Sequence, residues 1–138
     1  MGAITKAIYD RLAGDDTLRS MLATYEGQPA IFTAPPPGKS PYPMIVTTGN
    51  ATDSPDDTKT SRGREIWRDI TCYTEATGSM ADVEAIAERV RQLFHRAKIP
   101  VDGYQVWLSE ASGPIPAETD QTVYGLVVTV RLRMQEVQ

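Results

Sequence analysis

The chain has 138 residues, 41% hydrophobic and 23% charged. That suits one domain with a buried core and excludes wholesale disorder. Fourteen basic and eighteen acidic residues leave a net charge of −4, with a pI near 4.9, so the cationic excess of a duplex-binding domain is missing.

The single cysteine, Cys72, excludes an internal disulfide and predicts a reducing compartment. Lys6, Asp10 and Arg11 interrupt the N-terminal stretch, so no signal peptide is expected. No apolar run reaches the roughly 18 residues of a membrane span. We therefore expect a cytoplasmic protein with no membrane partner.

Ile4, Ala7, Ile8 and Leu12 share one helical face, and Gly14 ends that segment. Asp15 or Asp16 then caps a short second helix with Leu18, Met21 and Leu22. Ile31-Phe32-Thr33 predicts a short strand, followed by the loop Pro35-Pro36-Pro37-Gly38. Pro41-Tyr42-Pro43 leads into a strand over Met44 to Thr48. Ala51 to Arg64 is almost wholly polar and cannot offset its ordering entropy by burial, so a long mobile loop is expected over 51–64.

Glu65 to Thr74 predicts a strand with Ile66, Ile70 and Cys72 on one face. Ser79-x-x-Asp82 resembles a capping box. It opens a helix whose apolar stripe is Val83, Ile86, Ala87, Val90, Leu93 and Phe94, with Pro100 as its terminator. Tyr104 to Leu108 predicts a strand, and 111–122 a second mobile loop. In the last strand Tyr124, Leu126, Val128, Val130, Leu132 and Met134 alternate with a face that becomes basic at Arg131 and Arg133. The order α-α-β-β-β-α-β-β predicts an α+β fold over 1–138. It would be a mostly antiparallel sheet of roughly four to five strands with helices packed on one face.

Residues that could carry chemistry are few. His95 reads as a helix-end side chain, and Cys72 as a small buried hydrophobe. Asp53, Asp56 and Asp57 lack the glycine and terminal glutamate of a calcium loop. No phosphate-binding glycine loop occurs. No catalytic, cofactor or metal site is expected. Residues suited to protein contact are more evident. The 51–64 segment carries Asp53, Asp56, Asp57, Lys59, Arg62 and Arg64, charges that set register more than affinity. Trp67 and Trp107 alternate away from the core, as interface anchors do. Arg131 and Arg133 lie on the polar face of the last strand.

Several local patterns, taken in order, resemble the tail completion (tail terminator) proteins of long-tailed bacteriophages and related gene transfer agents. These are Asp15-Asp16-Thr17-Leu18, Pro41-Tyr42-Pro43-Met44-Ile45-Val46, Ile70-Thr71-Cys72-Tyr73-Thr74, the helix from Asp82 to Leu93, and Leu126-Val127-Val128-Thr129-Val130-Arg131-Leu132. The resemblance implies a structural protein, monomeric in solution. Assembled, it would form a ring, usually a hexamer, at the head-proximal end of the tail. Its partners would be further copies of itself, the tail tube protein and the head-tail connector, with assembly in the host cytoplasm and a final place in the virion. DNA would pass through the ring without specific binding, and Asp53, Asp56, Asp57 or Glu118 would face that channel. The alternatives are a generic homo-oligomeric binding module and another head-tail joining protein.

Overall fold

The computed structural model describes residues 2–38, 40–48, 51–58, 62–117, 119 and 121–137. Helix α1 (Ala3–Ala13) turns Ile4, Ala7, Ile8 and Leu12 inward and stops at Gly14. Helix α2 (Asp16–Met21) is capped by Asp15, whose side chain accepts from the Leu18 N–H at 2.9 Å. A two-stranded antiparallel ladder follows, β1 (Thr24–Tyr25) with β2 (Gln28–Pro29). Strands β3 (Ile31–Phe32) and β4 (Met44–Val46) pair in parallel. Next come β5 (Ala51–Pro55), β6 (Gly63–Glu75), α3 (Ala81–Phe94), β7 (Tyr104–Pro116) and β8 (Val123–Glu136).

The main sheet is six-stranded in the order β3-β4-β6-β8-β7, with β5 also on β6. Its axis is the long antiparallel pair β6–β8, in unbroken register from Gly63↔Gln135 to Glu75↔Val123. β4 and β5 share the other edge of β6, β4 opposite Thr71–Tyr73 and β5 opposite Arg64–Arg68. The helices lie on one face, where Val83, Val90 and Phe94 of α3 join Ile70, Val128, Val130 and Leu132 of the sheet in one buried cluster. Burial of these side chains is the principal stabilising term.

The α+β class and mostly antiparallel sheet hold, with six strands in place of the expected four to five, and four local expectations are corrected. The 51–64 segment is not simply a loop. Ala51–Pro55 pairs with β6, because a free strand edge offers backbone partners that do not depend on apolar side chains. The 111–122 loop shrinks because β7 continues along β8 to Pro116, absorbing Gly113 and Pro114 in a register shift between Ser112 and Ile115. The capping box does not form: Met80 is the N-cap of α3, and Ser79 accepts from the Ala81 N–H at 3.2 Å. Pro100 does not end α3 either. The helix stops at Phe94, and Arg96 adopts a left-handed φ of 54° that breaks the helical path.

Candidate functional site

Alternation along β8 creates the site. Leu126, Val128, Val130, Leu132 and Met134 are buried under the helices. The intervening Thr129, Arg131 and Arg133 therefore lie on the opposite face. Glu65, Trp67 and Asp69 of β6 are their register partners there, and Glu110 and Ser112 of β7 flank the other side.

The two arginines organise this face. Arg131 reaches Glu65 at 3.2 Å and Glu110 at 3.6 Å, and its guanidinium carbon lies 5.1 Å from the centre of the Trp67 ring. Arg133 takes Asp56 through two bonds of 3.0 Å, approaches Glu65 at 3.4 Å, and stacks 4.3 Å over Trp107. Trp67 donates its indole N–H to Glu65 at 2.9 Å, and Thr129 donates to Asp69 at 2.7 Å. The Trp67 indole and then Arg131 hold the Glu65 carboxyl below its usual range. Each such pair contributes little to stability at a wet surface. Together they fix two large aromatic rings on a rigid sheet, so little side-chain freedom is left to lose on binding. Trp67 stays 39% exposed and Trp107 49%.

The structure thus brings Asp56, Trp67, Trp107, Arg131 and Arg133 into one network. Asp53 and Arg64 form a separate pair. The Arg64 Nε donates to Asp53 at 3.1 Å, a second guanidinium nitrogen bonds the same carboxylate, and a third contact reaches the Tyr104 hydroxyl at 3.2 Å. Arg64 lowers the Asp53 pKa, and Asp53 in turn raises that of Arg64. Asp57 accepts from the Gly63 N–H at 3.1 Å, and Arg62 is exposed beside it. Lys59 and Glu118 lie outside the described residues. Asp53 and Asp56, expected to face a channel, are each held by an arginine of their own chain. Glu65 and Glu110 were missed by sequence reasoning, although Glu65 shares the parity of Trp67 along β6.

Cys72 and His95 both occupy structural settings. Burial pushes the Cys72 thiol up to about 12, which suppresses the thiolate. The His95 Nδ1 accepts from the Ala111 backbone N–H at 3.3 Å, a structural contact between the end of α3 and β7. Among the described residues no group of three or more metal-ligating side chains gathers, and no helix is long and apolar enough to cross a membrane.

Comparison with known proteins adds two findings. The family model described as tail completion protein gp17 matches residues 6–135. A chain of a solved structure described as the virion of a native gene transfer agent (GTA) particle superposes with a TM-score of 0.80. That match covers 96% of this chain and 95% of the other at 19% identity, which establishes a shared fold. No match is found among curated proteins.

Proposed function

This chain belongs to the tail completion protein gp17 family, and from that premise we propose that it caps the phage tail tube. Capping ends tube polymerisation and provides the surface that the head connector joins. The protein acts as a ring of identical subunits at the head-proximal end of the tail, reached by assembly in the host cytoplasm. Its work is mechanical rather than catalytic, consistent with a buried, protonated Cys72 and a His95 engaged with the backbone.

The observation that carries this proposal, beside the family match, is the Trp–Arg face. Aromatic and arginine side chains dominate the binding energy of protein interfaces, and here both tryptophans are exposed while rigidly backed. A head-to-tail contact whose rotation closes gives a ring and uses two different patches on each subunit. The test is to add the purified chain to polymerising tail tube protein and measure tube length by electron microscopy. Tubes arrested early, with a ring at one end, are expected. Tubes that grow equally long with and without the chain would count against capping.

A further inference from the structure

The two edges of the sheet differ in a way that indicates how copies meet. Edge strand β7 is closed over in its middle by the segment that follows α3. The Arg96 N–H donates to Ser109 O at 2.8 Å, and the Ala111 N–H donates to His95. Beside this closure runs a groove lined by Arg96, Lys98, Val106, Trp107, Leu108 and Glu110, its two cations set against one carboxylate that turns toward Arg131 at 3.6 Å. The side chains of Arg96 and Lys98 are exposed and take no carboxylate partner among the described residues.

The opposite edge carries β5. Among the described residues it pairs with β6 on one side only, and all five of its residues are exposed. The Asp56 N–H bonds Gly63 O at 2.9 Å. By alternation the backbone groups of Thr52 and Ser54 also point toward β6, while those of Ala51, Asp53 and Pro55 point outward. Pro55 therefore sits where no ladder N–H is needed. The described stretch 51–58 contains three aspartates and no basic residue. Asp57 is exposed and, among the described residues, accepts the Gly63 N–H.

We infer that the β5 arm of one copy docks in the basic groove beside β7 of the next, with Asp57 against Lys98 and Arg96, and Trp107 as the apolar anchor. Copies with a net charge of −4 repel one another at long range, so a contact between them needs local cations, and this groove supplies two. Strand β5 and the groove lie on opposite edges of the sheet, and Arg133 spans the face between Asp56 at the arm's end and Trp107. The contact is therefore heterologous, the kind that closes into a ring. This inference rests on the ring reading above and specifies its two surfaces.

The test is zero-length carbodiimide coupling, which joins a carboxylate to an amine only in direct contact. A mixture of isotopically heavy and light protein, assembled on tail tube ends, would be coupled and analysed by mass spectrometry. Mixed heavy–light products joining Lys98 to Asp57 are expected. K98R removes the amine but keeps the charge, so it should assemble normally and lose that product. K98E should weaken assembly about tenfold. Intermolecular products joining other residues, without Lys98, would overturn this pairing and leave the ring standing. Absence of any Lys98 product in assemblies seen as rings by electron microscopy would overturn this pairing, and absence of rings would overturn both.

Discussion

The guanidinium of Arg133 lies 4.3 Å over the ring of Trp107 while holding Asp56, at the end of the β5 arm, through two hydrogen bonds. One side chain thus ties three strands, β5, β7 and β8, into a single surface and braces an indole that is half in solvent. Because Trp107 is so exposed, its removal should separate folding from assembly. W107A is expected to lose only about 0.5–1 kcal/mol of stability, the worth of an exposed cation–π contact, yet to abolish capping of tubes. Urea unfolding and tube-length measurement on the same preparation check both halves.

Gly63 is the tightest point of the hairpin. A Cβ built there would fall 2.3 Å from Asp56 O and 2.9 Å from Met134 O, both backbone atoms. Neither can rotate away. G63A should cost about 1–3 kcal/mol, as overpacking does, and should pull β5 away from β6. Chemical denaturation gives the first quantity, and faster amide exchange across 51–56 than in the wild type would show the second.

Asp15 couples the helices. Its carboxylate caps α2 and takes two bonds from Arg89 of α3, at 2.8 and 2.6 Å. The bonds from Arg89 depress its pKa below the ordinary 3.8. The sign follows from that depression: the contribution is present above the unfolded value and is lost as pH falls through the folded one. D15N, which keeps a capping oxygen, should flatten the acid limb of the stability curve below about pH 4. D15A should also lose about 1 kcal/mol of cap at neutral pH. Thermal melts across the acid range up to neutrality would check both.

Arg96 occupies the left-handed region at φ 54°, which glycine enters without strain. R96G should therefore hold or raise stability, by up to about 1 kcal/mol, while weakening assembly through loss of a groove cation. A variant that melts higher and caps worse would show that Arg96 is kept for contact. One that melts lower would contradict the backbone assignment.

Much of this was legible in the sequence. The stripe Val83–Phe94 and the alternation of β8 specified a helix over a sheet, and the same alternation placed Arg131 and Arg133 on the opposite face from the core. Trp67 was legible for the same reason, whereas Trp107 reaches solvent in a register shift between Val106 and Leu108 that simple alternation does not contain. The β5 arm was not, because nothing in Ala51–Pro55 alternates between apolar and polar. Its strand exists only because β6 presents an edge, which is a tertiary fact. The extension of β7 past Leu108 was hidden likewise by Gly113 and Pro114, which read as a turn but sit in a bulge. Glu65 and Glu110 became meaningful only when register set them beside Arg131.

Capping is the central claim, and deletion of the gene tests it most directly. Tail lengths in lysates of the deletion and of the complemented strain would be measured by electron microscopy. We predict tubes of broad, uncontrolled length that fail to join filled heads, with normal tails restored by the wild-type gene. Tails of uniform length, joined to heads in its absence, would contradict the account.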